Sequence, residues 1–89
     1  MSFEVIYSKR AKKELHKLDP YTRRMIKAWI DNHLVGTDDP RATGKALGGD
    51  RTGQWRYRIG DYRLITIIED EKMIILALNI GHRREIYHS

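Results

Sequence analysis

The chain has 89 residues, no cysteine, and 17 Lys and Arg against 12 Asp and Glu, a formal net charge of +5. That length predicts one small domain, 1–89, with little core to spare, and the missing thiols exclude disulfides and thiolate metal sites and fit a reducing compartment. No apolar run approaches the roughly 20 residues of a membrane span and the opening MSFEVIYSKR has no signal-peptide core, so a cytoplasmic chain without membrane contact is expected, its positive charge pointing to nucleic acid.

The β-branched and aromatic stretch FEVIY, 3–7, predicts a first strand. Ser8 fits a helix N-cap, and KRAKKELHKL then carries Ala11, Leu15 and Leu18 at helical spacing. Asp19 followed by Pro20 reads as a cap with proline at the first helical position, so a second helix turns off sharply over 21–35. Its apolar stripe is Met25, Ile26, Trp29, Ile30 and Leu34, and Gly36 is its stop. The polar side of this helical hairpin holds Lys9, Arg10, Lys13, Lys17, Arg24 and Lys27, a solvated face that can also contact the phosphates of RNA.

The Gly, Pro and Asp content of 36–53 predicts a long surface loop, with Leu47 as its anchor to the core. GKALGG within it lacks the spacing and the preceding strand of a phosphate-binding loop. A three-stranded antiparallel meander follows, over 54–59, 62–69 and 73–80. The predicted class is α+β: an N-terminal strand, a helical hairpin and the meander, with the first strand joining the rest in one small twisted sheet.

QWRYRIGDYRLI, 54–65, is the most informative stretch. Trp55, Tyr57 and Ile59 alternate with Arg56 and Arg58, and Gly60-Asp61 supplies a two-residue turn with glycine first. That turn sets Ile59 opposite Tyr62, Arg58 opposite Arg63, Tyr57 opposite Leu64 and Arg56 opposite Ile65. Like charges facing each other across a sheet are unfavourable, so the fold alone has no use for the arrangement. If Ile68 then opposes Met73, Arg63 opposes Leu78 and Asp61 opposes Ile80. The closing GHRREIYHS emerges beside the turn, and Arg83 joins Arg58 and Arg63.

Guanidinium forks match phosphate oxygens, and several aimed at one phosphodiester would stabilise the charge that builds during phosphoryl transfer. The sequence shows no paired carboxylates or His and Asp ligand set for two-metal hydrolysis, so no metal or other cofactor is expected. RNA then supplies its own nucleophile, the 2′-hydroxyl. Arginine is a poor base, which leaves Tyr87, His82, Glu85 and His88 as candidates for moving the proton.

With its initial strand, two basic helices, ALGG, the WRYRIGDYRLI hairpin and the closing IGHRREIY, the chain resembles the RelE/ParE superfamily of bacterial toxins, specifically the RelE side. The resemblance implies a ribosome-dependent mRNA endonuclease acting in the ribosomal A site, metal-independent and neutralised by a cognate RelB-like antitoxin. It implies that Arg56 and Arg58 hold the scissile phosphate, that Arg63 and Arg83 neutralise the transition state, and that Tyr87 stacks on the nucleotide or takes its proton. Arginines stand where well-known relatives carry lysines on that strand, so the base is sought in Tyr87 or His82. A ParE-like inhibitor of DNA gyrase without nuclease activity, and a non-catalytic binding module, are the alternatives.

Overall fold

The computed structural model describes residues 2–86. Its elements run β1 (Glu4–Tyr7), α1 (Lys9–Lys17), α2 (Pro20–His33), β2 (Lys45–Ala46), β3 (Trp55–Ile59), β4 (Tyr62–Glu69) and β5 (Ile74–His82). The strands form one sheet in the order β1-β5-β4-β3-β2, with β1 parallel to β5 and every other pair antiparallel. The α+β class and the meander therefore stand as read. The 36–53 loop, however, also contributes the two-residue edge strand β2 and a 3₁₀ turn at Gly49–Arg51.

Both helices begin as their caps dictate. Ser8 Oγ accepts from the Ala11 amide at 3.0 Å, and an Asp19 carboxylate oxygen accepts from the Thr22 amide at 3.1 Å. Only extended Leu18 and Asp19 separate α1 from α2, and the chain turns away after Leu34 through Gly36, whose φ of +80° favours glycine.

Alternation along the strands puts Tyr57, Ile59, Leu64, Ile75, Ala77 and Ile80 on the face covered by the helices. There they pack with Ala11, Leu15, Ile26, Ile30 and Leu34 in one buried cluster. Both helices lie on this face. The other face carries the intervening residues, among them Arg56, Arg58, Arg63 and Asn79.

The β3–β4 register is the one the hairpin predicts, including Arg58 directly opposite Arg63. The β4–β5 register is not. Ile68 faces Ile75 rather than Met73, and Arg63 faces Gly81 rather than Leu78. Two features cause the slip. Asp70–Lys72 form a 3₁₀ turn closed by Met73 in the left-handed region at φ 56°, which lengthens the connection. A bulge between Ile65 and Thr66 then leaves Leu78 unopposed on β5 and adds one more residue.

Helix α1 stabilises that bulge. β1 pairs with β5 only as far as Tyr7 and Ala77. Beyond this point Ser8 Oγ donates to the Leu78 carbonyl at 2.7 Å, and Glu14 Oε1 accepts from the Ile80 amide at 2.7 Å. Two side chains of one helix thus replace the strand that β5 lacks there.

Candidate functional site: an arginine row on the face away from the helices

Gly60 takes φ +59°, so the Gly60-Asp61 turn closes tightly and β3 and β4 are locked in register. On the face away from the helices the row nearest the turn is Arg58, Arg63 and Gly81, across β3, β4 and β5. The next row is Lys45, Arg56, Ile65 and Asn79. Directly opposed residues on an antiparallel pair have Cβ atoms about 4.5–5.5 Å apart, so Arg58 and Arg63 leave the sheet side by side.

The four arginines differ in setting. Arg58 is exposed, whereas Arg63 is 8% exposed and its Nη1 donates to the carbonyls of Gly60 and Tyr62, each at 3.1 Å. Arg63 therefore also secures the turn that aligns the row. Arg56 is half-buried, with its Nε enclosed and without a hydrogen-bond partner among the described residues. Arg83 is exposed, and its amide donates to the Asp61 carbonyl at 2.8 Å, which holds the segment after β5 against the turn. The convergence expected from the sequence is thus present in the backbone, through a different register.

His82 is not brought to the arginines. It pairs with Tyr62 on the helix side of the sheet, in an edge contact of 5.7 Å between ring centroids, and its Nδ1 accepts from the Arg84 amide at 3.2 Å. The bulge is the reason, because an odd shift in register exchanges the two faces of a strand. Glu85 is exposed, its amide bonded to the His82 carbonyl at 2.8 Å, and Tyr87 and His88 lie outside the described residues. Ile86 folds back over Gly81, where any Cβ would stand 3.2 Å from its Cδ1.

Residues 5–87 match the family model described as "ParE toxin of type II toxin-antitoxin system, parDE". The chain belongs to the RelE/ParE superfamily of type II toxins. The toxin is 31% identical over 87 residues to Toxin RelG of Mycobacterium tuberculosis, covering 98% of each chain. Among solved structures it resembles the toxin-antitoxin complex RelBE2 of the same organism, at TM-score 0.79 and 26% identity over 93% of this chain and all of the other. The archaeal RelE-RelB complex of Pyrococcus horikoshii matches at TM-score 0.70 and 25% identity, over 96% of this chain and 99% of that one.

In this toxin the helix cations Lys9, Arg10, Lys13, Lys17, Arg24 and Lys27 are all exposed, and Arg10 pairs with Glu14 at 3.3 Å. The 36–53 loop is held less by Leu47, which is half-buried, than by contacts the sequence did not announce. The Tyr57 hydroxyl donates to the Pro40 carbonyl, and burial pushes its pKa up to about 12. Arg41 forms a bidentate pair with Asp70 at 2.8 and 2.9 Å, and these hydrogen bonds hold the Asp70 carboxyl below the ordinary carboxylate value.

Asn79 was also missed. It stands in the Arg56 row at 4% exposure, with Nδ2 lacking a partner among the described residues. A lone amide within the apolar run IILALNI was the available signal. No helix among the described residues is long and apolar enough to cross a membrane.

Proposed function

We propose that this toxin is an mRNA endonuclease that cuts in the ribosomal A site and thereby halts translation. The observation that carries the reading is the side-by-side exit of Arg58 and Arg63, with Arg56 one row away and Arg83 fastened to the adjoining turn. Such a group of guanidiniums is stabilised by a phosphodiester between them.

In the proposed reaction the 2′-oxygen attacks the adjacent phosphorus, the bond to the 5′-oxygen breaks, and the products are a 2′,3′-cyclic phosphate and a 5′-hydroxyl. Arg56 and Arg58 hold the phosphate, while Arg63 and Arg83 offset the charge on its non-bridging oxygens. Tyr87, as its phenolate, takes the proton from the 2′-hydroxyl and the departing 5′-oxygen takes one from water; Tyr87 is favoured over His82 because His82 faces the helices. No metal ion enters the scheme. The cations of α1 and α2 contact ribosomal RNA, and a RelB-like antitoxin covers the arginine row with a segment of opposite charge. The antitoxin is supported by the relatives solved as RelB-RelE and RelBE2 complexes.

The test is cleavage of an end-labelled mRNA with and without programmed ribosomes. A cut confined to the ribosomal sample, ending in a cyclic phosphate and lost in Arg83→Ala and Tyr87→Phe, supports the reading. Cleavage that survives both substitutions removes the site. The family model is described by its ParE members, which favours inhibition of DNA gyrase as the second reading. Arrest of DNA replication before protein synthesis after induction would select it.

A further inference from the structure

Beside the arginine row, the sheet edge forms a cleft of about 430 Å³ between the C-terminal half of α2 and β2–β3. Its lining includes Trp29 and His33 of α2 together with Lys45, Arg56 and Arg58. We propose that this cleft is a base-stacking subsite, in which a nucleobase of single-stranded RNA lies on the His33 ring while Lys45, Arg56 and Arg58 hold its flanking phosphates. The proposal deepens the ribonuclease reading and rests on it.

Three aromatic rings lead from the core to this surface. Tyr57 is fully buried; Trp29 is half-buried, 5.9 Å from it between centroids; and the exposed His33 stacks on Trp29 at 4.4 Å and 17°. The His33 ring is already oriented, because its Nδ1 lies 2.9 Å from the Trp29 carbonyl and donates to it. A nucleobase would add a third ring to the Trp29–His33 stack, whose inner ring is tilted at 54° against buried Tyr57, with little ordering left to do.

The electrostatics favour the same ligand. Among the described residues the cleft lining contains three cations and no acid. β2 pairs with β3 only at Trp55 and Arg56, so the β3 edge beyond Arg56 is open and Arg58 stands at the mouth of the cleft. Arg56 and Arg58 belong both to the row and to the cleft, so a strand with one phosphate on the row brings a neighbouring base to His33. Stacked rings beside paired cations suit single-stranded nucleic acid, and the volume falls in the ~300–1,000 Å³ range of ligand sites.

The test uses the full toxin and a short 2′-O-methylated oligoribonucleotide, which cannot be cut, with an abasic site placed at each position in turn. Binding is followed by fluorescence anisotropy for the parent, His33→Ala and His33→Phe. One abasic position should weaken the parent roughly tenfold, as expected for loss of one stacked base. His33→Ala should bind the intact strand weakly and ignore that abasic site, while His33→Phe restores both affinity and sensitivity. A flat abasic scan, an equal abasic loss in parent and His33→Ala, or no RNA binding by the parent overturns the inference. So does a His33→Ala variant that weakens only antitoxin binding, since the cleft would then be a protein contact. Ribosomal cleavage by the parent is scored separately: cleavage with a flat scan leaves the ribonuclease and removes the subsite, whereas a coupled scan without cleavage removes the ribonuclease alone.

Discussion

Arg58→Gln should make the toxin more stable and less active at the same time. Arg58 faces Arg63 directly across the hairpin, and only the first of the two is exposed. Two guanidiniums ~7 Å apart in a water-like dielectric would repel by about 0.6 kcal/mol, the scale taken for this pair. That agrees with the roughly 0.2–1 kcal/mol scale of cross-strand pairs. For a domain of this size the change corresponds to a rise of roughly 1–8 °C in Tm. Scanning calorimetry at low salt should resolve it, and the gain should fade as the Debye length contracts from about 30 Å at 0.01 M to about 3 Å at 1 M. Ribosomal cleavage by the same variant should fall about 10²-fold or more, the usual cost of losing one preorganised charge-stabilising donor. A variant melting at or below the parent at low salt would show that Arg58 and Arg63 are compensated within the fold, and the argument that the row awaits a phosphate would fail.

Ser8→Ala should cost about 2–4 kcal/mol, combining loss of a helix cap with an unpaired Leu78 carbonyl; a urea midpoint close to the parent's would show that α1 is not what holds the bulge. Gly44→Ala should free β2, because the new Cβ would meet the Arg56 carbonyl and Trp55 Nε1 at 2.5 Å with φ at +92°. Faster amide exchange at Leu47, whose amide donates to the Gln54 carbonyl, is the readout, and Gly48→Ala, with nothing within 4 Å, is the neutral control. Tyr57 ionises near 12 in the folded state against 10.0 ordinarily, because burial favours the neutral phenol. Stability should therefore be lost as pH rises from 10.0 toward about 12, and Tyr57→Phe should flatten that part of the profile in pH-dependent denaturation.

The parts of the fold that were legible in the sequence are those whose geometry is set by local chemistry. Ser8 and Asp19 cap as their side chains require, and Gly60 at a positive φ fixes the hairpin and with it the Arg58–Arg63 pair. The β4–β5 register was illegible for the opposite reason. A methionine gives no hint that it will adopt the left-handed conformation, and nothing in the residues around Ile65 and Leu78 marks the bulge. The total shift was odd at the arginine end, so the register read from sequence set His82 among the arginines when the chain sets it against Tyr62. β2 escaped notice because two exposed residues carry no alternation. Trp29 read only as part of the apolar stripe of α2 and His33 was not singled out, since spacing alone cannot say that a helix end overhangs the sheet edge.

The parallel pairing of β1 with β5 also bears on when this toxin becomes active. Glu4 meets Ile74 and Tyr7 meets Ala77, so the first strand made finds its partner only when the last has emerged. Helix α1 completes the far end of β5 only then, through Ser8 and Glu14. Contacts of such long sequence separation form late. A growing chain therefore carries the residues of its arginine row before β5 has joined β1 and α1 to complete the sheet that holds them.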